Sequence, residues 1–176
     1  MWKPLVRCSI VGGVIVYLWT MLAWTVMPFH KMSMNRFENQ SEAVNSILDS
    51  APQDGIYVAP FMDTKADSIT GSGPFIFASV KRGVDFSDMT RPMIAGLLTQ
   101  IAGAFLITLL LLRSKAMRYW SRVWFVTIVG LIVAILGLVP AWNWWHFPNS
   151  WLILGALDYF IGWFLGGLVI GKLVKD

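Results

Sequence analysis

One acidic residue interrupts the long apolar stretches of this chain, and it is the natural place to look for chemistry. Asp158 lies seven positions after Trp151, about 10 Å along a helix axis. Carboxylates at such depth in a membrane are costly, face protein or water, and mark sites. At 100° per residue Gly155, Asp158, Gly162 and Gly166 share one helix face, and Gly162-Trp-Phe-Leu-Gly166 has the spacing that admits a second helix closely. The carboxylate is therefore expected in a seam between helices. Gln100 and Thr20 bring two more polar groups to a similar depth, Gln100 beside Gly96 and Gly103, Thr20 beside Ser9, Gly13, Val16 and Ala23. Two chemistries fit this candidate intramembrane site: interhelical hydrogen bonds around a carboxyl, or a place for a proton or ligand.

The histidines form a second constellation. His30 in Pro28-Phe-His-Lys31 and His146 in Trp142-Asn-Trp-Trp-His-Phe-Pro148 both follow aromatic residues at one boundary. Facing imidazoles can ligate haem or copper, but neither histidine has a carboxylate or another His near it in sequence, so interfacial anchoring is the expected role. The uncharged run Trp142, Asn143, Trp144, Trp145, His146, Phe147 reads as an aromatic belt. Its alternative is a docking surface for a lipid headgroup, a quinone-like ligand or another subunit. Serines lack His and Asp companions at matching depth. The glycine-rich pieces do not join a strand to a helix as a phosphate cradle requires, and no Cys/His spacing resembles a zinc site. No catalytic residue, metal or cofactor is expected, and hence no enzyme. Cys8 is the lone cysteine and excludes an internal disulfide; as a juxtamembrane thiol it is a weak lipidation signal.

These residues need elements to hold them, and composition says which. The 176 residues are 56% hydrophobic and only 14% charged, with ten Trp and eleven Phe; a soluble domain carries about 25% charge. Disorder, a coiled coil and an ordinary soluble enzyme domain are excluded. Four spans are readable at about Cys8–Phe29, Pro92–Leu112, Val123–Trp142 and Asn149–Gly171, each reaching roughly 30 Å, the thickness of a bilayer core. Backbone in lipid must satisfy itself, so helices follow. Pro28, Pro92, Pro140 and Pro148 mark ends. The first span is too long for a signal-peptide core and is followed by no small-residue cleavage pattern, so it reads as an uncleaved anchor.

Net charge is +4, yet the bases sit at helix ends and form no stripe, which argues against nucleic acid. Lys3 and Arg7 precede the first span, Arg113, Lys115, Arg118 and Arg122 fill the link between the second and third, and Lys172 and Lys175 follow the fourth. The link between the third and fourth carries no charge. The positive-inside rule puts both termini in the cytoplasm. Lys31, Arg36, Lys81, Arg82 and Arg91 lie on the other side, in a loop at the length where such charges stop counting.

That loop, residues 30–91, is the one polar region. Asn39-Gln-Ser-Glu42 supplies an N-cap for a helix near Gln40–Ser50, with Val44, Ile47 and Leu48 as its apolar face. Ile56–Ala59 and Phe75–Val80 have the β-branched and aromatic bias of strands, Thr70–Pro74 is a loop, and Met32–Phe37 is a third candidate strand. The expected architecture is an all-α transmembrane bundle of four helices, with a small α+β extramembrane insertion between the first and second. Residues 1–29 hold the tail and first span, and residues 92–176 the other three.

Trp24-x-x-x-Pro28-Phe-His30, Ala51-Pro-x-x-Gly55-Ile-Tyr57, Gly73-Pro-Phe-Ile-Phe77, Trp142-Asn-Trp-Trp145 and the glycine-rich helix beginning at Asp158 together resemble small bacterial inner-membrane proteins with no assigned activity. The resemblance spans nearly the whole chain. It implies a bacterial origin and a periplasmic insertion, and it brings no catalytic residue. Glycine stripes and the aromatic segment point to a non-enzymatic interaction or accessory subunit of a membrane assembly. Its partners would be the lipid bilayer and a membrane protein or a second copy of the chain. The alternative is a small transporter or proton-coupled ligand-binding protein using Asp158 with Gln100 and Thr20. A redox role through the histidines ranks behind both.

Overall fold

The chain forms, in order, α1 (Trp2–Thr25), a 3-10 turn (Phe29–Ser33), α2 (Gln40–Ser50), β1 (Gly55–Ala59), β2 (Ile76–Val80), α3 (Thr90–Arg113), α4 (Tyr119–Trp144) and α5 (Asn149–Leu173). This computed structural model describes residues 2–61, 73–114 and 117–174. Lys115, Lys175 and most of the Thr70–Pro74 loop lie outside the described residues. α1, α3, α4 and α5 are each long and apolar enough to cross a membrane, which makes this a multi-pass membrane protein by length and composition. Two units divide the chain: Met1–Met34 with Asp88–Asp176, and Asn35–Ser87.

In the helical unit α1 packs on α3 and on α5, α5 also packs on α4, and α3 meets α4 only lightly. Neighbours run antiparallel, as the packing registers show: Gly12 meets Ile170 and Gly166 meets Val16 across α1 and α5, while Gly167 meets Val123 and Gly155 meets Leu138 across α5 and α4. Lipid tails are as apolar as leucine, so close approach at small residues holds such helices together. A Cβ added at Gly13 would stand 2.5 Å from the Ile101 Cα, and one at Gly167 would stand 2.9 Å from the Val123 carbonyl oxygen. The α5 glycines thus serve two neighbours: Gly162 and Gly166 face α1, whereas Gly155, Gly167 and Gly171 face α4.

The packing is uneven along the bundle. α3 buries only Ala104, Ile107, Thr108 and Leu111, all in its second half. The burial of α4 runs from Arg122 to Ala134 and stops, and that of α5 begins at Gly162. An apolar core that includes Cys8, Ala104, Ile107, Leu111, Val126 and Ile170 closes the end where α1 begins and α5 finishes. Toward the other end α3 buries nothing before Ala104 and α4 nothing after Ala134, and a crevice lies in front of the α1–α5 seam.

Several helix ends differ from the sequence reading. α1 starts at Trp2, so Lys3 and Arg7 lie inside it, and it stops at Thr25 instead of Phe29. Pro28 then starts the 3-10 turn. α4 runs through Pro140 to Trp144, which places Trp142, Asn143 and Trp144 on its last turn and shortens the α4–α5 link; the Trp142 Nε1 donates to Asn149 Oδ1 at 2.7 Å across it. Arg122, counted above as a link charge, is a residue of α4, only 8% exposed. Its guanidinium donates to the carbonyls of Gly171 and Val174, satisfying orphan acceptors at the C-terminus of α5.

The Asn35–Ser87 unit is small. Asn39 caps α2, its Oδ1 accepting from the Glu42 backbone N–H at 3.2 Å while its Nδ2 donates to Glu42 Oε2 at 2.9 Å. β1 and β2 pair antiparallel, Gly55 opposite Val80 and Ala59 opposite Ile76. Asp54 ties this ribbon's end together: Lys81 Nζ donates to it at 2.6 Å and the Arg82 backbone N–H at 3.1 Å. Those two neighbours hold the Asp54 carboxyl below the usual carboxylate range. Met32–Phe37 is not a strand; it comprises the end of the 3-10 turn and residues outside any helix or strand. β-propensity is realised only where a partner strand pairs, and β1 pairs with β2.

Candidate functional site

The crevice is a cavity of about 220 Å³ built wholly within the helical unit. Its back is the α1–α5 seam, and its acidic group is Asp158. Gly162, one turn further along α5, gives the Trp19 indole its place: a Cβ there would stand 3.0 Å from the Trp19 Cδ1. From that position the Trp19 Nε1 donates to Asp158 Oδ1 at 2.6 Å and lies 3.2 Å from the Asp158 carbonyl oxygen. Asp158 is thus turned into the protein, its side chain 12% exposed.

The second partner of the carboxylate is His30. Because α1 ends at Thr25, the chain reverses through the 3-10 turn and carries the imidazole back against the bundle, where it is 4% exposed. Its Nε2 stands 3.2 Å from Asp158 Oδ2. The ring stacks on Trp24 with centroids 4.1 Å apart and planes 10° from parallel, and Phe29 meets it at 4.5 Å. The Ser33 hydroxyl donates to the His30 carbonyl at 2.7 Å, bracing the turn. His30 is therefore no surface anchor. His146 lies apart in type: it is exposed in the α4–α5 link with φ 53°, a left-handed conformation in which His is more tolerated than most residues. The pairing of imidazoles considered above is replaced by an imidazole–carboxylate pair. Among the described residues no group of three or more His, Cys, Asp or Glu side chains could hold a metal ion.

Gln100 and Thr20 line the same cavity as Asp158. Thr20 is level with the carboxylate, but its hydroxyl donates to the Val16 carbonyl at 3.0 Å, one turn back in its own helix. Gln100 sits deeper. Its neighbour Ile101 packs on Gly13, roughly 8 Å along α1 from the turn that carries Trp19. The three polar groups therefore mark the mouth and the depth of one crevice instead of a single layer.

Aromatic rings make up much of the rest. Trp24 and Trp151 meet edge to face at 6.4 Å, and Phe147 meets Trp151 at 5.7 Å, so rings run from the α4–α5 link to His30. Trp163 floors the cavity. Its indole spans two helices, resting where Gly103 of α3 and Gly130 of α4 leave room: added Cβ atoms there would stand 3.3 Å and 2.4 Å from it. Sequence reasoning named none of Trp19, Trp24, Trp151 or Trp163 as site residues. The available signal was spacing, since Trp24 lies six residues before His30 and Trp163 one position beyond the glycine that faces α1.

Chemically, the arrangement offers a carboxylate held by Trp19, His30 and Trp24 with acceptor capacity left over, an imidazole beside it, and apolar aromatic walls. A scan against protein-family models and searches of curated proteins and of solved structures return no match to this chain.

Proposed function

We propose that the chain is a small ligand-binding protein of a bacterial inner membrane, of transporter or proton-coupled type, with Asp158 as the group that engages the ligand. Both termini are cytoplasmic in this reading and the Asn35–Ser87 unit is periplasmic. That topology draws on the basic residues at one set of helix ends. One observation carries the functional reading: the part-buried carboxylate lines a cavity of about 220 Å³. A carboxyl that only tied helices together needs no space beside it. In a bilayer, such space next to a charge is filled by something that interacts with the charge. The test is binding of a small-molecule panel to the purified protein in nanodiscs, read by thermal stability. A ligand at a hundredfold its dissociation constant adds about 2.7 kcal/mol. The reading predicts stabilisation by at least one compound and its loss in Asp158→Asn.

A second reading, the accessory subunit of a membrane assembly, has its own support in the uncovered ends of α3 and α4. The first half of α3 and the last third of α4 bury none of their residues within this chain. A partner helix recovered in stoichiometric amount from mild detergent, cross-linked to residues such as Leu98 or Leu136, favours that reading; a clean monomer that keeps its fold removes it.

A further inference from the structure

We infer that the crevice selects a small organic cation, an amine carried on an apolar or aromatic body. The inference rests on the ligand-binding reading above and adds the chemical class.

Charge is the first argument. Among the described residues Asp158 is the one acidic residue lining the cavity, and no Lys or Arg lines it. The other titratable groups among the described residues of its wall are His30, from the 3-10 turn, and Tyr159, from α5; α1, α3 and α4 contribute Val16, Thr20, Trp24, Gln100 and Leu138, all uncharged. An anionic ligand would meet a carboxylate with no fixed positive charge to offset it. A cation meets a carboxylate whose side-chain partners are the Trp19 and Trp24 indoles and the His30 imidazole. None of those supplies a permanent charge, and a carboxylate inside a membrane protein is retained where a cation or proton offsets it. An ammonium group on the ligand supplies that offset.

Geometry is the second. Trp19, His30 and Trp24 are the side chains bonded to the carboxylate, and a carboxylate has about four acceptor positions, so an ammonium has room for a further hydrogen bond without displacing them. The rings of Trp24, Trp151 and Trp163 reach the same cavity, and indole faces attract cations more strongly than other rings do. Size is the third. The cavity's 220 Å³ exceeds the ~150 Å³ that accommodates benzene and falls short of the ~300 Å³ where drug-sized pockets begin. A single ring with a short aminoalkyl arm fits that interval.

The experiment uses the full chain in nanodiscs at neutral pH, with empty nanodiscs subtracted for partitioning. The probes share one body: phenethylamine is the cation, 2-phenylethanol its neutral counterpart, phenylacetate the anion. The expected result is saturable binding of the amine, at least about tenfold tighter than the alcohol, with the acid weakest. Asp158→Asn keeps an acceptor for Trp19 and should erase the preference for the amine while sparing the alcohol. Should that variant not fold, Trp151→Leu serves: it should weaken the amine several-fold more than the alcohol. Saturable binding of the alcohol or acid as tight as the amine, a preference that survives Asp158→Asn, or one left undiminished by Trp151→Leu, overturns the cation inference and leaves ligand binding standing. Silence of all three probes overturns both.

Discussion

Replacing His30 by Gln and Asp158 by Asn, singly and together, isolates the contact on which the site is built. The side chains stand 3.2 Å apart and are 5% and 12% exposed. If both were ionised, Coulomb attraction at an effective dielectric of 20 would be about 5 kcal/mol before desolvation is subtracted. Desolvation offsets most of it, leaving roughly 1.5–3 kcal/mol for a charged hydrogen bond and about 1 kcal/mol for a neutral one. The membrane-embedded unfolded chain also finds partners, which lowers measured interhelical couplings to about 0.6 on average and about 1.7 at most. The expected coupling energy is therefore about 1 kcal/mol or more. The cycle suits this pair because His30→Gln also loses the stack on Trp24, and that loss appears in both arms and cancels. Unfolding in bicelles, followed by steric trapping or denaturing detergent, gives the four stabilities. A coupling below about 0.3 kcal/mol would refute the claim that the reversal after Thr25 is held by the carboxylate.

Three further outcomes are expected. Gly13→Ala places its methyl 2.5 Å from the Ile101 backbone, which cannot move aside as a side-chain tip can, so it should destabilise by about 1–3 kcal/mol, whereas Gly137→Ala, with nothing within 4 Å, should be neutral or stabilising by up to about 1 kcal/mol; thermal unfolding compares them. Because Lys81 and Arg82 depress the Asp54 pKa, its stabilisation of the Asn35–Ser87 unit is full above the unfolded value of about 3.9 and is lost as pH falls through the lower folded value. Protection factors of the Tyr57 and Val80 amides, taken against the intrinsic rate at each pH, should fall over that acid range in the parent and change less in Asp54→Asn. In a Cys8→Ser background, single cysteines at Ser114 and at Ser50 should react with an impermeant maleimide from opposite sides of intact cells and inverted vesicles; labelling from one side contradicts the proposed topology.

The four spans are readable because charge is absent from their interiors, a signal that no tertiary contact can overwrite. Asp158 stands out for the same reason. What surrounds it is less visible. Trp19 and Trp24 belong to a chain with ten Trp, most of which suit a membrane boundary, and only the space at Gly162 singles out Trp19. His30 looked like an anchor because the first span was read through Phe29. The reversal at Pro28 is settled by what the turn docks on, a Trp24 face and a carboxylate 128 residues away in sequence. Arg122 was counted as a link charge by its nearness to three other bases, while its planar fork matches the free carbonyls at the end of α5. Local pattern names the elements; the long-range partners of polar side chains need the fold.

Trp163 explains why the crevice is open at all. A four-helix bundle held by small residues gains by closing along its whole length, since a gap forfeits dispersion contacts on both walls. Here the seal ends where the Trp163 indole lies between Gly103 and Gly130. Those glycines provide the room that lets a large ring sit between α3 and α4; beyond the ring α3 buries nothing further and α4 only Ala134. The same ring is the floor beneath Asp158. The space beside the carboxylate therefore has a side chain that keeps it apart from the apolar core, two glycines that seat that side chain, and a third glycine, Gly162, that seats the Trp19 indole bonded to the acid. A carboxyl serving only as a tie between α1 and α5 would need the last of these and none of the others, which is why the arrangement favours an occupant over a tie.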